Sequence, residues 1–170
     1  MNEITNKEKM EHPDNVHFRR YAREWAMQFL FQHDAEDMTN TEEAIDIFSE
    51  QIRTSGLYDL PDKGVFKKAY KASLRIISGI LENKNEIDKT ISQYSPKWSI
   101  SRMDAVDRNV MRIAVFEMLK CNNVPPIVSI NEAVEIGKKY GSGNTPAFVN
   151  GILNTIKDTL KRSARDPVTN

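Results

Sequence analysis

The sequence predicts an all-α protein of about seven helices, and three observations support this prediction. Seven glycines and seven prolines make up 14 of the 170 residues, about 8% against a usual ~12%, which disfavours turn-rich β sandwiches and barrels. Apolar residues recur at helical spacing from about residue 18 to residue 160, and no stretch shows the sustained alternation of a strand. Hydrophobic types account for 39% of the chain, which is enough to bury a core.

Four helices are predicted in the first half of the chain, each from an apolar stripe. Their expected positions are 18–35, 41–56, a long helix after Asp62, and a shorter segment that ends near Tyr94. In the long helix the predicted outward side is basic, with Lys67, Lys68, Lys71 and Arg75. Ser95-Pro96 then ends the fourth helix, because the residue before a proline is pushed out of the helical region.

Three further helices are predicted in the second half from signals at their first residues. These signals are Ser101 with Asp104, the full capping box Ser129-x-x-Glu132, and Thr145 followed by Pro146. The corresponding helices are expected to end near residues 121, 141 and 160. Gly151, within the last of them, is expected to permit the close approach of another helix.

These elements divide the chain into two helical subdomains between two tails. The expected ranges are a disordered tail at 1–16, an N-terminal subdomain with an arginine-bearing first helix at 17–96, a C-terminal subdomain at 97–162, and a disordered tail at 163–170. No apolar run approaches the ~18–20 residues of a membrane span, and the polar N-terminus lacks the apolar core of a signal peptide. We therefore expect a cytoplasmic protein without membrane association.

Residues suited to catalysis or to metal binding are scarce. The chain has three histidines, and none has a second His or Cys at the spacing of a helical metal pair. The single Cys121 excludes an internal disulfide and a multi-cysteine zinc site. The glycines around Gly141 do not form a nucleotide-binding loop, since the required lysine spacing is absent and no strand precedes them. We therefore expect no catalytic residues, no metal, no cofactor and no enzymatic activity.

Arginines cluster at the start of the first predicted helix. The net charge of the chain is zero, yet Arg19, Arg20 and Arg23 lie within five residues, and residues 34–66 are strongly acidic. Guanidinium groups match phosphate oxygens and stack on unpaired bases, so the cluster indicates an RNA contact. The alternative interpretation is an ordinary solvated face on which Arg20 pairs with Glu24 one turn later.

A second candidate site lies where the last helix begins. Asn144, in the linker before that helix, can read a base or cap the chain, and the free N–H groups of a helix start suit an anion. Phe148 follows within the first turn.

Ordered blocks of residues connect these two segments. The first is Arg19-Arg20-Tyr21-Ala22-Arg23-Glu24, followed by Ala26, Gln28, Leu30 and Phe31-Gln32. Later blocks are Trp98-Ser99-Ile100-Ser101-Arg102, Val106-Asp107-Arg108, Met111-Arg112-Ile113-Ala114, Ile130-Asn131-Glu132-Ala133 and Phe148-Val149-Asn150-Gly151. Over about residues 18–162 the chain resembles the NusB family of bacterial transcription antitermination factors, most specifically in the succession of the INEA and FVNG blocks.

The resemblance implies a fold of two small helical subdomains and a function without catalysis. Family members bind the single-stranded boxA element of nascent ribosomal RNA together with NusE, a ribosomal small-subunit protein, in a complex that makes RNA polymerase resist termination. Carried over by motif, the RNA-binding residues would be Arg19, Arg20, Arg23, Gln28, Phe31, Asn144 and Phe148. Asp107 would lie on the NusE side.

Three positions depart from the family pattern. Phe31 stands where tyrosine is usual, which removes a hydroxyl that could bond RNA. Ser129 replaces the alanine before the INEA block, and Gly137 replaces the alanine of the usual Ala-Lys pair, which is expected to loosen that helix.

Two other functions remain open from the residues alone. One is a helical protein-interaction module, or a homodimeric adaptor that hides its arginine face, without intrinsic RNA affinity. The other is the helical RNA-binding domain found at the front of RNA cytosine methyltransferases, although these 170 residues hold no methyl-donor site.

Overall fold

The part of the chain that the structure describes folds into seven α-helices, and the prediction of an all-α fold is confirmed. The computed structural model describes residues 13–36, 40–54 and 63–167, and it contains no strand within those ranges. The helices are α1 (Pro13–Glu36), α2 (Thr41–Thr54), α3 (Lys63–Glu82), α4 (Lys84–Tyr94), α5 (Ala105–Lys120), α6 (Pro126–Tyr140) and α7 (Thr145–Asp158). A single 3-10 turn, Ile100–Arg102, precedes α5.

Helix α5 is the centre of the fold. It packs against α1, α3, α4, α6 and α7, and every side chain from Asn109 to Met118 is buried. One continuous cluster of buried apolar residues extends from Trp25 in α1 through Ile77 in α3 to Leu153 in α7. The division into subdomains near residue 96 stays a prediction, and the apolar core runs across it.

Aromatic side chains hold α1 against the neighbouring helices α2 and α3. The rings of Trp25 and Phe66 have centroids 5.4 Å apart, and the Phe29 ring meets the edge of Phe48 at 5.4 Å and 78°. Ring contacts of this geometry stabilise a core beyond the area that they bury. The stripe predicted from periodicity therefore faces these helices, which leaves the opposite side of α1 for other contacts.

Two glycines differ in how closely another helix approaches them. A Cβ atom at Gly79 would overlap the ring of Phe116, so α3 and α5 approach each other at this glycine. Gly151 was expected to permit such an approach, but a Cβ there would meet nothing within 4 Å. That expectation is wrong, because Gly151 lies on the exposed side of α7.

Three predicted helix starts are also wrong. Helix α5 begins at Ala105, after the 3-10 turn, instead of at Ser101, and the other two differences share one physical reason. Helix α1 begins at Pro13 instead of residue 18, and α6 begins at Pro126 instead of Ser129. Proline suits the first helical position, where its missing N–H would have no intrahelical acceptor. Residues 13–16 are thus helical and not part of a tail, whereas 1–12 lie outside the described residues.

The segment after α7 is held against the ends of α5 and α6. Arg162 donates hydrogen bonds to the carbonyls of Glu117 and Met118 in the last turn of α5, where carbonyls lack their full set of donors within the helix. The Ile127 N–H donates to the Ala164 carbonyl at 3.0 Å. The structure therefore differs from the predicted disordered tail over 163–167, and 168–170 lie outside the described residues.

Candidate nucleic-acid interface

A cleft of about 440 Å³ separates the first half of α1 from α6. Long charged and polar side chains line it: Arg20, Tyr21, Glu24, Glu135, Lys138 and Lys139. The two helices are connected here by side chains that reach across the cleft. The contacts run in order along both helices, from Arg20 and Glu132 at one end to Gln28 and Tyr140 at the other.

Arg20 forms a two-pronged ion pair with Glu132 of the INEA block. Its Nε atom lies 2.9 Å from Oε2 and its second terminal nitrogen 2.7 Å from Oε1. The hydrogen bond that Arg20 donates to Glu132 raises the pKa of Arg20 above its ordinary value. Because the Arg20 side chain remains 45% exposed, one edge of an oriented, permanently charged guanidinium faces solvent.

The middle of the cleft is organised by Glu24, whose carboxylate is buried. It accepts hydrogen bonds from Lys139 Nζ and from the Tyr140 hydroxyl, both at 2.9 Å. The Tyr140 hydroxyl in turn accepts from Gln28 Nε2 at 3.2 Å. The hydrogen bond to Glu24 raises the pKa of Lys139. Gln28 therefore lies at this surface, and the predicted pairing of Glu24 with Arg20 is replaced by contacts to α6.

Arg23 is buried, in contrast to the sequence prediction of a phosphate contact. Only 5% of the residue is exposed, and its Nε lies 2.8 Å from Glu117 Oε1 of α5. Ser129 donates to the second oxygen of Glu117 at 2.6 Å. The prediction that all three guanidiniums face outward is wrong for Arg23, because its side of α1 is the one that packs against α5.

The remaining predicted residues of α1 lie on its solvent side. Arg19 is exposed, and its guanidinium carbon lies 5.7 Å from the centre of the Phe18 ring. Phe31 is 44% exposed. Phe31 lies on the face of α1 that also carries Arg20 and Gln28, because positions 20, 28 and 31 of a helix point to the same side.

The loop before α7 is fixed by a buried contact between Thr145 and Asp107. The Thr145 hydroxyl donates to Asp107 Oδ1 at 2.5 Å and accepts from the Ser142 N–H at 3.0 Å. Burial raises the pKa of the Asp107 carboxyl. Asp107 thus positions the loop from inside the fold, and its role toward NusE stays a prediction.

Gly137 in α6 and Gly141, the residue that follows this helix, make room for Thr145. A Cβ at Gly137 would lie 2.8 Å from Thr145 Cγ2, and one at Gly141 would lie 2.5 Å from Thr145 Oγ1. Gly137, which the sequence suggested would loosen its helix, is therefore the residue that lets Thr145 pack over α6 and reach Asp107.

An aromatic pair stands beside this loop, and sequence reasoning missed half of it. Trp98 is 53% exposed, and its ring meets that of Phe148 edge-on, with centroids 6.0 Å apart. Together with Arg102 and Asn144 they line a pocket of about 230 Å³. An aromatic face, an amide and a guanidinium in this pocket, which two aspartates also line, can take an unpaired base.

Other chemistry finds little support among the described residues. Within 13–36, 40–54 and 63–167, no group of three or more His, Cys, Asp or Glu side chains is arranged to hold a metal ion. Burial raises the pKa of the Cys121 thiol to about 11, so it stays protonated and poorly nucleophilic at neutral pH. No helix in this part of the chain has the length and apolarity to cross a membrane.

Comparisons with known proteins agree on one family. The model of the NusB family matches residues 20–158. A transcription antitermination protein NusB from Desulfosudis oleivorans is 40% identical over 148 residues, which is 87% of this chain and 90% of that protein. Another from Desulfatibacillum aliphaticivorans is 42% identical over 138 residues, 81% of this chain and 88% of that one.

Solved structures give the same result for the fold. A T. maritima NusB structure matches with a TM-score of 0.67 at 40% identity, over 83% of this chain and 91% of that one. A crystal structure of the antitermination factors NusB and NusE in complex with dsRNA matches with a TM-score of 0.69 at 25% identity, over 85% and 99%.

Proposed function

Because the chain belongs to the NusB family, we propose that it is an RNA-binding transcription antitermination factor that acts without catalysis in the cytoplasm. Its partners are NusE, the single-stranded boxA element of nascent ribosomal RNA, and the RNA polymerase antitermination complex. The curated relatives carry the name of this activity, and a matching structure contains both NusE and RNA.

One observation carries the assignment of the RNA face: the row of oriented cations along the cleft between α1 and α6. Arg20, Lys138 and Lys139 are each about half exposed. Arg20 is oriented by its hydrogen bond to Glu132, and Lys139 by its hydrogen bond to Glu24. A charged group that is already oriented loses less conformational freedom on binding. A phosphate group that enters the cleft therefore meets donors that are already positioned.

The pocket at Trp98 and Phe148 completes the face by taking a base. Single-stranded RNA is recognised through unstacked bases that lie on aromatic side chains, with hydrogen bonds to their edges. Asn144 offers both a donor and an acceptor for such an edge. In this interpretation the cleft binds the backbone, and the aromatic pocket adds contacts that depend on sequence.

The salt dependence of RNA binding tests this assignment. With NusE present, Arg19→Gln and Arg20→Gln are each expected to make the slope of log affinity against log salt shallower by about 0.7, the value for one phosphate contact to a single strand. The measurement is a fluorescence anisotropy titration of boxA-type RNA over a range of salt concentrations.

The matched control is Arg165→Gln, which removes an exposed arginine in the segment after α7 and is expected to leave the slope unchanged. Equal slopes for the wild type and both α1 variants would contradict RNA recognition through this helix. If the wild type binds no RNA even with NusE, the protein-interaction module without RNA affinity is the better description.

A further inference from the structure

Four cations on α3 form a basic surface outside the proposed RNA face. They are Lys67, Lys68, Lys71 and Arg75, all exposed, and we call them the α3 ridge. Lys67, Lys71 and Arg75 follow one another at intervals of four residues, which places them about 6 Å apart along the helix axis. No acidic residue occurs between Lys63 and Leu81, so every charged side chain in this part of α3 is positive.

Contacts within the fold do not explain the α3 ridge. In the described part of the chain none of its four members takes part in an ion pair, whereas buried arginines such as Arg23 and Arg112 do. Like charges four residues apart on a helix repel each other. The row therefore destabilises α3. A bound ligand of opposite charge would offset this repulsion and would explain why the four cations lie together.

The chemistry of the ridge favours a phosphate backbone over a protein partner. The apolar residues of α3 are directed at the core, with Val65, Ala69, Ile77 and Ile80 buried, and no large hydrophobic side chain of this helix is exposed. Protein interfaces have an apolar centre and are depleted in lysine. Lysine is instead a compact point charge that suits phosphate without reading a base.

The position of α3 connects the ridge to the proposed RNA face. Helix α3 packs directly on α1, with Phe66 against Trp25, and the ridge lies on the side of α3 turned away from that contact. We propose that the α3 ridge binds, without sequence preference, the phosphate backbone of RNA that extends beyond the segment held at α1 and α6. This inference rests on the proposed function.

The test compares two RNAs and two triple variants of the full chain, with NusE present. One RNA is the shortest boxA-type strand that keeps full affinity, and the other is the same strand extended by an unstructured oligouridine tract at one end or the other. The ridge variant is K67Q/K71Q/R75Q. Its matched control, K89Q/K161Q/R165Q, also removes two exposed lysines and one exposed arginine.

The ridge variant is expected to leave binding of the short RNA unchanged. For the RNA extended at the end that passes over α3, it should make the salt slope shallower by about 2, which corresponds to three single-strand phosphate contacts. The control variant should bind both RNAs with the affinity and the salt slope of the wild type. Thermal unfolding of the ridge variant should match the wild type or exceed it, because repulsion within α3 has been removed, and that of the control variant should match the wild type.

Two results would overturn the inference, and they differ in what else they affect. If the wild type binds the short RNA and the ridge variant behaves like the control variant on both extended RNAs, the ridge assignment fails while the proposed function stands. If the wild type binds neither RNA, the ridge assignment and the proposed function fail together.

Discussion

Arg23→Met is expected to lower the free energy of unfolding by about 3–5 kcal/mol, the range for removal of one partner from a buried ion pair. Arg23 and Glu117 are both almost completely buried, and their side chains meet at 2.8 Å. Without the guanidinium, the carboxylate of Glu117 keeps only the hydrogen bond from Ser129. Equilibrium unfolding in urea, with the slope compared between variants, measures the loss.

The double variant R23M/E117Q separates loss of the ion pair from loss of packing. The amide oxygen introduced at position 117 still accepts a hydrogen bond from Ser129, and no charge at this pair is left without a partner. The double variant should therefore regain a large part of the stability that Arg23→Met loses. The salt slope for RNA should be the same as in the wild type. A small loss of stability, together with a slope shallower by one phosphate contact, would mean that Arg23 faces RNA after all.

Arg112→Met is the second substitution expected to be severely destabilising, again by about 3–5 kcal/mol. The Arg112 guanidinium joins three helices: it binds both oxygens of Asp88 in α4, at 2.7 and 2.9 Å, and Asp34 of α1 at 2.7 Å. Its loss from α5 leaves two carboxylates near each other. Lys84→Met is the control, since Lys84 is partly exposed and 3.7 Å from Asp34, and it should cost less than about 1 kcal/mol.

The difference in the free energy of unfolding between wild type and Arg112→Met is expected to depend on pH. Burial alone would raise the pKa of Asp34, but the charges of Arg112 and Arg108 outweigh it and lower the pKa below its ordinary value. A lowered folded-state pKa stabilises the wild type above the unfolded pKa of aspartate, about 3.9. That contribution is lost as the pH falls through the folded pKa. The difference in free energy of unfolding between wild type and variant, measured in urea, should therefore become smaller in acid. A difference independent of pH would contradict this electrostatic origin.

The periodicity of apolar residues was sufficient to predict the helices, but it could not show which polar residues are buried. Arg23 and Glu117 are 94 positions apart in sequence, and nothing local marks either as a member of a pair. The prediction for Ser129 was wrong for the same reason, since its partner lies in another helix. Its side chain fits a capping box, but α6 already begins at Pro126, and the hydroxyl binds Glu117.

The family resemblance singled out a second segment that charge alone did not, the INEA block that contains Glu132. Arg20 of the first block and Glu132 of the INEA block belong to distant motifs, and the structure brings them into contact at 2.7 Å. Charge counting and the resemblance both treated the three arginines as one cluster, although neighbouring positions on a helix face different directions. Exposure of Trp98 depends on where the segment between α4 and α5 crosses Phe148, which only the assembled fold determines.

Cross-linking with thiouridine-substituted boxA-type RNA tests whether RNA lies on α1 and on the pocket at Trp98. The full chain is irradiated with this RNA and NusE, and the modified peptides are mapped. We expect adducts at exposed positions of α1 such as Phe31, and at Trp98 or Phe148, with none at Trp25 in the core. Adducts confined to α2 and α4, with the α1 and Trp98 peptides unmodified, would contradict this expectation.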